Sequence, residues 1–192
     1  MTKPPASPQR WKRVRSEPHA ITRIFEVIRA IYHHPHREKE QDFFVINAPD
    51  WVNVVAMTPD HQLVLVRQFR YGINDFSLEI PGGIIDEGED PIVAGVRELR
   101  EESGFVGENA RLLGSVHPNP AMQSNRCHLV LVENARPVAD LEWDPDEEFE
   151  ILTKPADEVY ALARSGGITH AMVLDALLLL APHLGKMRGR SV

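Results

Sequence analysis

The chain has 192 residues, 43% of them hydrophobic, so it is long enough to bury a full core and its length suits one domain. Its formal net charge is -7, with 28 acidic against 21 basic residues, which argues against a protein that wraps nucleic acid through phosphate contacts. The single cysteine, Cys127, lacks a surrounding Cys/His signature and is predicted to be a small buried core residue.

The first segment, residues 1–18, lacks the apolar stretch of a secretory signal. We predict that it is a flexible tail. The longest apolar run, residues 171–182, contains Asp175 and is far shorter than the roughly 20 residues of a membrane span. We therefore expect a cytoplasmic protein without a membrane partner. Its single domain should cover residues 19–185, with a short C-terminal tail at residues 186–192.

Alternating apolar residues predict strands at residues 24–32 and 43–47, separated by a polar loop. Three histidines of this loop, His33, His34 and His36, are explained by a solvated turn, and a metal site is the open alternative. Further along, two runs rich in β-forming residues flank a turn-forming tetrapeptide, residues 58–61. We interpret these runs as an antiparallel hairpin of residues 51–57 and 62–68.

The second half of the chain mixes the two kinds of element. Apolar spacing predicts strands at residues 110–116, 127–132 and 149–152, and helices at residues 91–103, 156–165 and 169–180. This order of elements predicts an α/β fold. A mixed β-sheet should be flanked by a few helices and preceded by the N-terminal antiparallel strands.

The segment from residue 82 to residue 105 is the most informative for chemistry. Asp90 and Pro91 suit the start of a helix, and Gly104 suits its left-handed end. Between them lie three glutamates whose spacing of i, i+3 and i+4 places them on one helix face: Glu98, Glu101 and Glu102.

Three like charges on one helix face repel one another, and a divalent cation removes the conflict. Oxygen ligands of this kind select hard ions, which predicts Mg²⁺, or Mn²⁺, as the cofactor. A solvated acidic face is the alternative for an isolated glutamate triplet.

The triplet is not isolated, because the whole segment resembles the Nudix box. That box combines a glycine, a glutamate, an Arg-Glu pair, a Glu-Glu pair, a second glycine and two apolar positions at fixed spacing. This chain has a matching residue at every one of these positions: Gly83, Glu89, Arg97, Glu98, Leu99, Glu101, Glu102, Gly104 and Phe105. So many fixed choices make the resemblance specific.

The resemblance implies a hydrolase of diphosphate bonds with a bound divalent metal. Glu98 and Glu102 would be the principal metal ligands, and the backbone carbonyl of Gly82 would be an additional ligand. Glu101 would be a further ligand or a proton acceptor in catalysis.

The resemblance also implies how the domain is built and assembled. Arg97 would pair with Glu89 and hold the loop on the helix, although a surface arginine is the alternative. Family members form an α/β/α sandwich, and this branch pairs as homodimers through its N-terminal strands, for which residues 24–32 would be suited.

Features outside the box resemble the branch that acts on ADP-ribose and nucleoside diphosphate sugars. Residues 66–71 look like its strand signature, in which the arginine at Arg70 contacts the substrate, and Glu79 is a candidate for the adenine or terminal ribose side. Arg70 could instead form an ion pair, and Pro120, near the expected downstream proline, could be a turn residue. The loop at residues 117–125 departs from the branch, which leaves a GDP-hexose open.

Two further residues are proposed from this branch. An acidic loop after the box would supply a metal ligand or general base, with Glu147 preferred and Glu148 second, and a solvated acidic turn is the alternative. Trp51 is a candidate for stacking on a base, and a buried indole is the alternative.

Other functions stay open at this point. The chain could be a non-catalytic ligand-binding module, although such modules normally lose glutamates of the box. It could also hydrolyse nucleoside triphosphates, dinucleoside polyphosphates or coenzyme A. We favour the small-molecule nucleoside diphosphate because of the signature around Arg70 and the strands before the box.

Overall fold

The computed structural model describes residues 7–138, 140, 141, 143 and 148–188. The chain divides into two compact units: Met1–Pro49 with Asn119–Asn125, and Asp50–Pro118 with Arg126–Val192. The sequence predicts one domain from residue 19 to residue 185. The division arises because the first three strands pair with one another and form a sheet of their own.

The first unit contains an antiparallel sheet in the order β1-β2-β3, with strands β1 (Lys12–Ile21), β2 (Glu26–His34) and β3 (Lys39–Asn47). The predicted tail at residues 1–18 is therefore wrong from Lys12 onward. All ten residues of β1 are exposed and show no apolar alternation, so the strand depends on backbone pairing with β2.

The histidine-rich loop is shorter than predicted, because the strands continue to His34 and resume at Lys39. His34 is buried, and its Nδ1 atom accepts hydrogen bonds from the backbone N–H groups of His36 and Arg37. This arrangement fits a structural turn. In the described part of the chain, no group of three His, Cys, Asp or Glu residues is arranged to hold a metal ion.

The second unit contains two sheets. One has the order β7-β4-β9-β8, with β4 parallel to β9, and the other has the order β10-β5-β6. Their strands are β4 (Trp51–Ala56), β5 (Gln62–Arg70), β6 (Asp75–Glu79), β7 (Gly82–Ile84), β8 (Phe105–Val116), β9 (Cys127–Pro137) and β10 (Glu150–Pro155).

The predicted hairpin of residues 51–57 and 62–68 is wrong. Its two strands, β4 and β5, belong to different sheets and are joined by an isolated bridge between Met57 and Leu63. The turn itself forms, since Thr58 donates its N–H to the carbonyl of Gln62. The ladder does not extend because each strand already has a neighbour on both edges.

The helices are α1 (Pro91–Ser103), α2 (Ala156–Ser165) and α3 (Ala171–Arg188). The predicted bounds of α1 and α2 are confirmed. Helix α3 continues past Pro182 to Arg188, so the predicted C-terminal tail is wrong up to that residue. The carbonyl that Pro182 leaves without a helical donor belongs to Leu178, an exposed residue, where water can satisfy it.

Two apolar cores form on opposite faces of the central strands. Val55 and Leu129 pack in one core with residues of α2 and α3, while Val54 and Val130 pack in the other with Leu99 of α1. This alternation follows from the two-residue period of a strand. The predicted mixed α/β fold with an N-terminal antiparallel sheet is confirmed. None of the described helices is long and apolar enough to cross a membrane.

Candidate active site

Helix α1 presents its three glutamates to one cavity. Its start is fixed by Asp90, whose Oδ1 accepts hydrogen bonds from the N–H groups of Ile92 and Val93. Its end is fixed by Gly104, which has a φ of 70°. The cavity has a volume of about 460 Å³, and its lining includes Glu98, Glu101, Glu102, Gly82, Gly83, Ile84, Asp86, Arg97, Gln68 and Arg70.

Strand β7 brings two glycines against this helix face. The Gly82 N–H donates a hydrogen bond of 2.9 Å to Oε2 of the buried Glu102. A side chain at Gly83 would begin 2.5 Å from the carboxyl carbon of Glu98. At Gly83 the backbone therefore approaches the Glu98 carboxylate more closely than a residue with a side chain could without displacing that carboxylate.

Arg97 links the loop and the helix through several carboxylates. Its Nε and Nη2 atoms donate to the two carboxylate oxygens of Glu89 at 3.1 and 3.0 Å. Its Nη1 donates to Glu98 at 2.8 Å and to Glu101 at 3.1 Å. Hydrogen bonds to Glu89, together with the negative charge of Glu98, raise the pKa of Arg97 above its ordinary value. The sequence predicted the first of these partners and missed the other two.

The donor set suits a hard divalent cation. Three carboxylates face one cavity, and none of the residues predicted as ligands contributes sulfur or imidazole. Arg97 partly neutralises the carboxylates by binding two of them. Among the described residues no three such side chains are already arranged to hold a metal ion, so these glutamates would have to reorient around a cation. The Gly82 carbonyl as a ligand stays a prediction.

Arg70 and Glu79 form a bidentate ion pair. The Nε and Nη2 atoms of Arg70 donate to the two carboxylate oxygens of Glu79 at 2.8 and 2.6 Å. The Glu79 side chain is 1% exposed, whereas that of Arg70 is 43% exposed. The ion pair named as an alternative for Arg70 is thus present, and the guanidinium still reaches the surface of the cavity.

A second cavity, of about 590 Å³, adjoins the first. Trp51 at the start of β4, Ile73 in the turn after β5, and Thr169, His170 and Met172 around the start of α3 are among its lining residues. Four residues line both cavities: Arg70, Gly82, Gly83 and Ile84. Trp51 was predicted either to stack on a base or to be a buried indole. It is half-buried against the core and also lines this cavity.

Three of the remaining predicted residues stand apart from these cavities or cannot be placed. Glu147, the preferred acid of the later loop, lies outside the described residues. Glu148 is exposed and lines neither cavity. The Cys127 thiol is buried, donates to Oδ1 of Asn53, and has its pKa raised to about 12 by burial, which confirms the core role.

Sequence reasoning missed His170. This residue lies directly before α3, lines the second cavity, and places its Nε2 atom 3.8 Å from Oε2 of Glu79. Burial lowers the pKa of His170 despite the nearby carboxylate. An isolated histidine before a helix carries no motif, and the contact joins residues 91 positions apart in the sequence, so no local pattern could have indicated it.

A sequence profile of the NUDIX domain matches residues 48–172, which include every part of the site described above. The chain belongs to the Nudix family. The profile begins close to Pro49, where the first compact unit ends before resuming at Asn119.

Three named proteins are similar to most of this chain. An ADP-ribose pyrophosphatase of Bacillus subtilis is 26% identical over 134 residues, which are 69% of this chain and 72% of that protein. An ADP-sugar pyrophosphatase of Mus musculus is 31% identical over 131 residues, which are 65% of this chain and 60% of that protein. A crystal structure of an ADP compounds hydrolase matches with a TM-score of 0.83 at 25% identity, over 97% of this chain and 100% of that one.

Proposed function

We propose that this Nudix protein hydrolyses the diphosphate bond of ADP-ribose or of nucleoside diphosphate sugars, in a reaction that depends on Mg²⁺. One observation carries the proposal: a cavity lined by carboxylates meets a larger and mainly apolar cavity at Arg70, Gly82 and Gly83. A substrate with a diphosphate in its middle and a large group at its end matches these adjoining spaces. The products would be a nucleoside monophosphate and a sugar phosphate.

Each glutamate of α1 has a proposed task. Glu98 and Glu102 would hold Mg²⁺, with Mn²⁺ as a second suitable ion, and Glu101 would be a further ligand or accept a proton from water. A bound divalent cation supplies charge neutralisation of the phosphates and lowers the pKa of a bound water. Glu147 remains a proposal for the general base.

The substrate class is supported by charge, by shape and by the named relatives. Arg70 reaches the junction of the two cavities, where a guanidinium can donate to phosphate oxygens. Trp51 offers an indole face at the edge of the larger cavity for a base or sugar. Two relatives are named for ADP-ribose and ADP-sugars, which favours an adenosine diphosphate derivative over a triphosphate.

A substrate panel with Mg²⁺ tests the function. ADP-ribose, GDP-mannose, UDP-glucose, a diadenosine polyphosphate and dATP are incubated with the protein, and released phosphomonoester is measured. ADP-ribose or a nucleotide sugar should have the highest kcat/KM. If dATP were preferred, the substrate proposal would be wrong, whereas no turnover of any compound would favour a non-catalytic binding module.

Replacing a metal ligand tests the chemistry. Residues that merely support metal ligands contribute about 10–100-fold, so Glu98→Gln or Glu102→Gln should lower kcat by more than about 100-fold while the fold persists. Glu108→Gln, an exposed glutamate of β8, is the control and should keep wild-type turnover. Activity within tenfold of wild type for both site variants would contradict the assignment.

The cytoplasmic location, which rests on the lack of a signal sequence or apolar span in the sequence, and the homodimer, which rests on the resemblance, remain predictions. Light scattering coupled to gel filtration would measure the oligomeric state. A monomer at micromolar concentration would contradict pairing through the N-terminal strands.

A further inference from the structure

Glu79 was predicted to contact the adenine or terminal ribose side of a substrate, and its surroundings oppose that role. It is the last residue of β6, its side chain is 1% exposed, and it lines neither cavity. Both of its carboxylate oxygens already accept hydrogen bonds from Arg70. A ligand could reach this carboxylate only after Arg70 had moved away.

From this geometry we infer that Glu79 is a positioning residue, which fixes the guanidinium of Arg70 at the junction of the two cavities so that it meets the diphosphate of the substrate. The inference rests on the proposed function for the identity of the ligand. Its structural half, that Glu79 determines where the Arg70 side chain lies, can be measured without any substrate.

The bidentate geometry is what makes positioning effective. Two parallel hydrogen bonds, from Nε and Nη2, fix both the location and the plane of the guanidinium. Arg70 ends β5 and Glu79 ends β6, and these strands pair antiparallel with Val66 opposite Glu79. The support therefore comes from a rigid sheet, which holds a side chain more closely than a loop can.

The ion pair between Arg70 and Glu79 should also persist at neutral pH. Burial alone would raise the pKa of Glu79, but the hydrogen bonds and charge of Arg70, with smaller contributions from His170 and Ser77, leave that pKa below its ordinary value. The carboxylate is therefore ionised at neutral pH and can accept from Arg70. His170, which lines the larger cavity, places its Nε2 atom 3.8 Å from Oε2 of Glu79, the oxygen that also accepts from Nη2 of Arg70.

An arginine that is already oriented loses less rotamer freedom when a substrate binds, so the arrangement should favour affinity. The contact to the diphosphate exists both before and during reaction. Loss of positioning should therefore appear in KM and leave kcat nearly unchanged. A purely structural ion pair would instead affect the melting temperature and leave KM unaltered.

The test combines kinetics with NMR of arginine side chains. For Glu79→Gln, in which an amide replaces one accepting oxygen by a donor, KM for ADP-ribose with Mg²⁺ should rise about tenfold or more, with kcat within about threefold. The Nε–Hε signal of Arg70 in the ligand-free protein should show increased mobility. Arg70→Lys identifies that signal by its loss and should raise KM similarly, because an ammonium cannot form the planar bidentate pair.

The matched control is Glu133→Gln, which breaks the pair between Arg111 and Glu133 on β8 and β9. That pair has a comparably exposed arginine, at 39%, and lines neither cavity. KM should stay at the wild-type value. If Glu79→Gln does not fold, Arg70→Lys and Glu79→Asp, which keep both charges and change the geometry, provide the same comparison.

The outcomes separate this inference from the proposed function. Unchanged Arg70 mobility in Glu79→Gln would overturn the positioning role whatever the substrate is. Altered mobility with an unchanged KM for ADP-ribose would also overturn it, because the guanidinium would then not serve binding. If no compound of the panel were hydrolysed by wild type while Glu79→Gln mobilised Arg70, the positioning of Arg70 would hold and the proposed function would fail.

Discussion

Arg97 is the residue on which the charge balance of the site depends. One guanidinium binds carboxylates on the loop and on the helix, and it also donates to the carbonyl of Ile84 on β7. It therefore connects three segments that carry the candidate site. Without it, the carboxylates of Glu89, Glu98 and Glu101 would lose the guanidinium that they share.

Replacing this arginine should affect stability and turnover together. Arg97→Ala removes several hydrogen bonds to charged groups, so it should lower the free energy of unfolding by about 1.5–3 kcal/mol and reduce kcat as well. Thermal unfolding and ADP-ribose kinetics measure the two effects.

Arg67→Ala is the control for that experiment. Arg67 pairs with Glu150 at 3.0 Å with both side chains about half exposed, and exposed pairs contribute only about 0–1 kcal/mol. A melting temperature of Arg97→Ala equal to that of wild type would contradict the linking role.

At the scale of elements, the site depends on how closely β7 approaches both β4 and α1. A side chain at Gly82 would start 2.2 Å from the backbone carbonyl oxygen of Val52, and backbone atoms of β4 cannot move aside independently. A side chain at Gly83 would instead meet the carboxylate of Glu98, which is the far end of a flexible side chain. A side chain is therefore excluded by backbone atoms at Gly82 and by a movable carboxylate at Gly83.

This difference predicts opposite outcomes for two adjacent substitutions. Gly82→Ala should lower the melting temperature, since β7 must separate from β4. Gly83→Ala should nearly keep the wild-type melting temperature and still lower kcat, because it displaces Glu98. Thermal unfolding and kinetics on the same preparations give both values. Equal effects of the two substitutions on stability would contradict the assigned contacts.

At the scale of the whole molecule, the stability should depend on pH through His170. Burial lowers the pKa of its imidazole in the folded state, whereas the unfolded chain has the ordinary value of 6.5. The unfolded state then binds more protons as the pH falls below 6.5. Stability is fully present above that pH and is lost as the pH falls through the lower folded pKa.

Thermal unfolding between pH 8 and pH 5, in the presence of a chelator and at constant ionic strength, measures this dependence. His170→Gln should flatten the decline of the melting temperature below pH 6.5. His183→Gln, on the helix that follows His170 and outside both cavities, controls for the loss of one imidazole. An identical decline in wild type and His170→Gln would contradict the prediction.

The parts of the molecule that the sequence predicted are those determined locally. Asp90, Pro91 and Gly104 mark the ends of α1 through interactions within a few residues, and the helical spacing alone gathers Glu98 with Glu102. Strand β1 was missed because its residues are exposed and lack alternation. The pairing of β4 and β5 was misjudged because strand partners are chosen across the whole sheet, which a turn sequence does not reveal.

The candidate site shows the same limit. The acidic face of α1 follows from the motif, whereas the larger cavity is assembled from β4, the turn after β5 and the start of α3. The role of Glu79 could not be inferred, because a glutamate in a strand gives no sign of whether it is buried. Only the fold shows that its carboxylate binds Arg70.

Gly82 and Gly83, two of the four residues that line both cavities, contribute only main chain to the boundary between them. Mutations on the turn after β5 or before α3 can reshape the larger cavity without altering the groups that face the carboxylates. The reverse holds for the loop before α1. During divergence of the family, substitutions can therefore change substrate preference without changing the groups that hydrolyse the substrate, and the reverse.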